Sequence, residues 1–235
     1  MMHFKSALNI LLFCCLLLAS SRVNASNIDS LKLALDYSEF VEDKINTQLL
    51  IGQHYENERT FDRAIIEYLR AIEMISNDSI FLKAKSIERL ANCYKKNEQI
   101  NEAKEAFLMS NMLYHQKKSA PEYIGRNYAL IGRCYYDEAD YDSAMVYYKK
   151  AQETYESNGV YNREYGILYH FIGSVFKRQG DYETACSYYQ KEIDYGIKHQ
   201  LKDVDVEGRY LSGLCLDDDT ARLANNLACK KIYEE

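Results

Sequence analysis

Eight side chains in the middle of this 235-residue sequence could act together as hydrogen-bond donors: Arg89, Asn92, Lys96, Arg126, Arg133, Tyr136, Lys177 and Arg178. Six are cations, and the other two add an amide and a phenol. With Lys85 and Lys95 they form a basic strip whose chemistry would be charge-assisted hydrogen bonding to carboxylates. The strip is a local feature, because the whole chain carries 29 basic against 35 acidic side chains, a net charge of −6. That balance argues against a general binder of phosphate backbones and hence against a nucleic-acid partner. Glu56, Glu88 and Asp137 dilute the strip, and ordinary solvated helix residues are the slightly weightier reading of the charges alone.

Other chemistry finds no template. There is no glycine-rich phosphate loop, no His-Glu-x-x-His and no Gly-x-Ser-x-Gly, and the acids fall in turns or on exposed helix faces. His3, His54, His115, His170 and His199 are scattered without ligand spacing, and no two cysteines form a Cys-x-x-Cys pair. The sequence therefore predicts no catalytic residue, no metal site and no cofactor.

What must position the donors is a helical scaffold. One proline, ten glycines and 47% hydrophobic residues suit long uninterrupted helices and do not suit a turn-rich β fold. A repeat then emerges. Starting at Gly52, steps of three, nine, twelve, sixteen and nineteen give Tyr55, Phe61, Ala64, Tyr68 and Ala71. From Ala91 the same steps give Tyr94, Ile100, Ala103, Phe107 and Ser110; from Gly132, Tyr135, Tyr141, Ala144, Tyr148 and Ala151. From Gly173 they give Phe176, Tyr182, Ala185, Tyr189 and one departure, Glu192. Small residues let two antiparallel helices come close while aromatic ones fill the wedges, so each unit is a helical hairpin that needs its neighbours for a core. Turns are expected at Asn97 to Asn101, Ala139-Asp140 and Gly180-Asp181.

This pattern resembles the tetratricopeptide repeat, matched in four units from about Ile45 to Glu192. The family's frequent tryptophan and closing proline are missing, and the starts lie 39, 41 and 41 residues apart where about 34 is usual. Longer helices or the segments Gln116 to Glu122 and Ser157 to Asn162 must absorb the excess. The resemblance implies an all-α, right-handed superhelical solenoid that binds a protein or peptide in its concave groove. The eight donors fall on the first helices of the units, at groove-facing places. The family's carboxylate-clamp set is not matched, since the corresponding places hold Glu88, Leu130, Ile167 and Phe171. An acidic or C-terminal carboxylate-bearing peptide is the expected partner chemistry. The runner-up is an extracytoplasmic sensor module of a bacterial signalling or transcription-regulatory system, and an enzyme comes third.

The flanks complete the expected organisation. Residues 1–25 read as a secretory signal, with an apolar run from Ala7 to Ala19 and cleavage after Ala25. Removing them takes away Lys5 and Arg22, leaving 27 − 35 = −8. An exported, periplasmic or secreted protein follows, with membrane association only through an uncleaved signal or a partner. Residues 26–44 are expected to cap the array with a helix from Asp29 to Lys44, 45–202 to hold four repeats, and 203–235 a degenerate fifth repeat. That last unit starts at Gly213 within a helix from Asp203 to Leu216, followed by a helix from Ala221 to Tyr233. Cys93, Cys134 and Cys215 share one place in successive first helices, about 10 Å apart, too far for disulfides, and are expected as free packed thiols. In the pairs Tyr135-Tyr136, Tyr147-Tyr148 and Tyr188-Tyr189 one member belongs to the core, leaving Tyr136, Tyr147 and Tyr188 for solvent or a partner.

Overall fold

A computed structural model describes residues 28–116 and 120–213. Among the described residues there are ten helices and no strand: α1 Ile28–Tyr37, α2 Val41–Asn57, α3 Phe61–Met74, α4 Ile80–Lys96, α5 Ile100–Gln116, α6 Pro121–Asp137, α7 Tyr141–Ser157, α8 Arg163–Arg178, α9 Tyr182–His199 and α10 Lys202–Ser212. None of them is long and apolar enough to cross a membrane. The chain divides into two compact units, Met1–Ser76 and Asn77–Glu235.

The first unit contains α1 and the hairpin α2–α3, which pack in sequence order. The helix expected over Asp29 to Lys44 is two helices. The chain leaves α1 after Tyr37, Ser38 is buried with its hydroxyl donated back to the Ala34 carbonyl at 2.8 Å, and Val41 to Lys44 open α2. α1 buries no residue fully, so it covers the hairpin only partially.

The second unit is an α-solenoid of the hairpins α4–α5, α6–α7 and α8–α9, completed by α10, each element packed on the next. The long period has a simple origin. Helices α4 to α7 have 17 residues each, α8 has 16 and α9 has 18, so the excess over the usual repeat is extra helix. Pro121, expected in a connection, instead opens α6, where its missing N–H costs nothing. The helix expected from Asp203 begins at Lys202 and is followed to Gly213; Cys215, Cys229, the signal segment and the final helix lie outside the described residues.

Among the described residues the first helices of the four repeats end in the same way. Arg59, Glu98, Ala139 and Gly180 adopt positive φ of 57°, 63°, 62° and 83°. The next residue then donates its N–H five residues back, as Thr60 to Tyr55, Gln99 to Tyr94, Asp140 to Tyr135 and Asp181 to Phe176, all at 2.9 Å. This is a Schellman closure, which satisfies carbonyls that the helix end would otherwise leave bare. Asp140 and Asp181 then cap the second helices by accepting from Ser143 N at 3.1 Å and Thr184 N at 3.0 Å.

Within each hairpin the contact is at backbone range. A Cβ placed on Gly132 would stand 2.5 Å from the ring of Tyr148 and 3.1 Å from the Ala144 carbonyl oxygen, and one on Gly173 would meet Tyr189 at 2.7 Å. Tyr148 is fully buried and Tyr189 nearly so. Two glycine exchanges should therefore act in opposite directions in urea unfolding. Gly132→Ala adds helix propensity of about 1 kcal/mol yet overpacks the ring, for a net loss of about 1–2 kcal/mol. Ala139→Gly removes left-handed strain and should add about 0.5–1 kcal/mol.

Candidate functional site

The first helices of the second unit present equivalent residues side by side. Six residues before each repeat start stand Lys85, Arg126, Ile167 and Glu207; three before it, Glu88, Ala129 and His170; one after it, Asn92, Arg133 and Ser174. Arg89, Asn92, Arg126, Arg133, Tyr136 and Lys177 are half-buried, while Lys96 and Arg178 are exposed.

The structure joins several of the eight donors to partners within the chain. Arg126 on α6 is ion-paired with Glu88 on α4, which is buried and also accepts from the Tyr114 hydroxyl at 3.4 Å. Burial pushes the Glu88 carboxyl up, and Arg126 opposes that shift. Asn92 turns its amide to the Glu88 carbonyl at 2.9 Å. Arg133 donates Nε–H to Asp137 at 3.0 Å and lies 5.4 Å from the Tyr136 ring and 5.7 Å from the Phe171 ring. Arg178 on α8 donates to the Tyr136 hydroxyl on α6 at 3.1 Å. Arg133, Tyr136, Phe171 and Arg178 thus form one patch across α6 and α8. Arg89 and Lys96 lie on α4, outside that patch.

The tyrosines expected to be spare are engaged as well. Tyr147 stacks on Tyr135 at 5.4 Å with Lys150 at 4.6 Å from its ring, and Tyr188 stacks on Phe176 at 5.6 Å with Lys191 at 4.2 Å. The physical reason is adjacency: a tyrosine beside the buried ring of a second helix reaches the aromatic residue three after the repeat start. Cys93 and Cys134 are buried thiols outside any disulfide, and burial pushes Cys134 up to about 11, which makes it unreactive. Cys186 is disulfide-bonded.

Sequence reasoning missed a cluster at α8, α9 and α10. His170 Nδ1 stands 4.0 Å from Glu192 Oε2 and 3.9 Å from Glu207 Oε1. Glu192 is 0% exposed and neither of its carboxyl oxygens has a hydrogen-bond partner. Burial, reinforced by Glu207, raises its pKa to about 9, while burial with the charges of Arg133 and Lys177 lowers His170 to about 4. Both groups are therefore neutral near pH 7. The signal was present in the sequence: Glu192 is the single residue of the repeat pattern that is not small where Ala71, Ser110 and Ala151 are.

Comparison with known proteins adds to this geometry. Tetratricopeptide repeat models match residues 125–158 and 168–201, supporting a protein of that repeat family. No curated protein matches the sequence. Among solved structures, BtubC from P. vanneervenii is similar with a TM-score of 0.70 and 14% identity over 88% of this chain and 89% of that one. Aspartyl phosphate phosphatase F from Bacillus subtilis gives 0.74 and 18% over 84% of this chain and 53% of that one. The Rap conjugation gene regulator of the plasmid pLS20, in complex with the Phr* peptide, gives 0.65 and 18% over 83% and 52%. The chain thus spans about half the length of the last two, and at these identities the likeness shows the fold.

The buried pair gives a pH signature. The unfolded chain ionises Glu192 near 4.5 and the folded chain only near 9, so between these values unfolding releases a proton and stability falls as pH rises. His170 gives the opposite slope only between about 4 and 6.5, where the unfolded imidazole takes up a proton that the folded one refuses. Glu192→Ala should accordingly be more stable than the parent at pH 7. Its advantage in chemical denaturation should grow by about 1 kcal/mol per pH unit from 6.5 to 9.

Proposed function

We propose that this chain is a non-catalytic scaffold that holds a protein or peptide partner on the first-helix face of its second unit. The tetratricopeptide repeat matches at residues 125–158 and 168–201 support a binding scaffold, and the Rap conjugation gene regulator, whose fold is similar, is seen in complex with the Phr* peptide. The observation that carries the reading is the α6–α8 patch. Arg133 and Arg178 are fixed against Tyr136 and Phe171, so cationic and aromatic donors are already ordered before any partner arrives. Ordering groups in advance lowers the entropic cost of binding. Lys177 stands on α8 one residue before Arg178. Arg126 serves chiefly to neutralise Glu88, which moves the centre of the face toward α6 and α8.

An acidic segment of the partner fits this patch, because Asp137 balances only Arg133 while Lys177 and Arg178 remain positive. Export is part of the proposal. It rests on the signal-like residues 1–25.

Two measurements check these statements. Affinity capture with the chain lacking residues 1–25, followed by calorimetry on the species recovered, should show Arg133→Glu/Lys177→Glu weakening binding at least tenfold. Lys149→Glu, on an exposed position of α7, should leave it unchanged. Retained affinity in the double variant removes the face from consideration. Mass spectrometry of the protein from its native host should find Ser26 at the amino terminus.

A further inference from the structure

Within one array the same two places meet at each junction between first helices, and their chemistry differs each time. At the junction of α4 and α6, Glu88 meets Arg126 and the charges cancel. At α6 and α8 the places hold Ala129 and Ile167, both part of an apolar cluster. At α8 and α10 they hold His170 and Glu207, and among the described residues no lysine or arginine lies within salt-bridge distance of either Glu207 or the Glu192 carboxyl beneath.

Glu192 occupies a place that a small residue fills in the other hairpins. Ser110, its counterpart on α5, satisfies its hydroxyl on the Ala84 carbonyl at 2.9 Å, but Glu192 has no such neighbour. A buried carboxyl with two unpartnered oxygens is costly and calls for an explanation, of which a bound cation is one. The side chain of Glu207 is 49% exposed and that of His170 19%, so these two open on the first-helix face while Glu192 lies buried beneath them, and an arriving group reaches it by displacing the Glu207 side chain.

From this arrangement we infer that His170, Glu192 and Glu207 form a subsite for a primary ammonium group carried by the bound peptide. An ammonium has three N–H donors. With neutral His170 in the tautomer that carries its proton on Nε2, the cluster supplies three acceptors, namely Glu192 Oε2, Glu207 Oε1 and the Nδ1 lone pair. Acceptors that share one tetrahedral nitrogen at about 2.8 Å stand about 4.6 Å apart, close to the 4.0 and 3.9 Å separations from His170. The positive groups facing His170 are Arg133, already paired with Asp137, and Lys177; facing Glu192 is Glu207. Arrival of the cation favours the ionised form of Glu192, which gives up its proton to solvent. The inference extends the peptide-binding reading: a partner acidic where it meets Arg133 and Lys177 would carry an amine where it reaches α10.

The test uses simple probes on the full chain. Acetyl-Gly-Ala-Lys-Ala-Gly-amide, the same peptide with norleucine for lysine, and that norleucine peptide with a free amino terminus are titrated at pH 8. The imidazole NMR signal of His170 is followed, and calorimetry in two buffers of different ionisation enthalpy counts protons. A saturable shift with proton release from the lysine peptide assigns a lysine side chain. The same from the free-terminus peptide assigns a terminal amine, and the acetylated norleucine peptide should be silent. Glu192→Ala restores the small residue usual at this place and should keep the fold, with thermal melting as the check, yet should weaken binding at least tenfold and abolish proton release. Glu207→Gln should weaken binding with the fold intact. If neither amine shifts His170, or if Glu192→Ala binds as the parent does, the subsite does not exist. Failure of the acidic-face reading is separate, because Arg133→Glu/Lys177→Glu would then spare the natural partner whether or not the amine probes bind.

Discussion

The structure depends on one contact, the close seating of a small residue in the first helix of each hairpin against an aromatic ring sixteen residues later. Gly52 on Tyr68, Gly132 on Tyr148 and Gly173 on Tyr189 leave no room for a Cβ without displacement of the ring. That seating brings two backbones together, buries the ring and fixes the axial register of the pair. In the second unit the same contact, repeated, sets successive first helices at a common height. Residues separated by one repeat then become neighbours, which is how Glu88 reaches Arg126 and how Tyr136 reaches Arg178.

A uniform backbone with variable side chains has an electrostatic consequence. The sequence shows a strip of cations, but pairing in space removes two of them: Glu88 consumes Arg126 and Asp137 consumes Arg133. The surplus positive charge is displaced toward Lys177 and Arg178 at the end of α8. Close to Arg133 and Lys177 lies His170, with the Glu192 and Glu207 carboxyls gathered against it from α9 and α10, a grouping that no count of charges along the chain can express.

The hairpins, their turns at Ala139-Asp140 and Gly180-Asp181 and the buried thiols at Cys93 and Cys134 were legible because each depends on local sequence. A 3.6-residue period, a left-handed turn position and a cap residue are all written within a few neighbours. The break at Ser38 was not legible, because the apolar spacing runs through it and only the burial of Ser38 shows where the chain turns. Partner choice among the donors was equally hidden. Arg126 finds Glu88 38 residues away, and Tyr147 finds Tyr135 through hairpin packing. Glu192 is the instructive case. It was visible as a departure from pattern, but its meaning required knowing that His170 and Glu207, from two other helices, converge on it.

The four identical Schellman closures carry a genetic corollary. Because Thr60, Gln99, Asp140 and Asp181 all fold back five residues with the same 2.9 Å bond, a polypeptide severed at one closure and rejoined at another keeps its helices in phase. Unequal crossover at these points would add or delete whole modules, never fractions of one. The array can thus change its reach while the chemistry of each surviving junction is inherited intact.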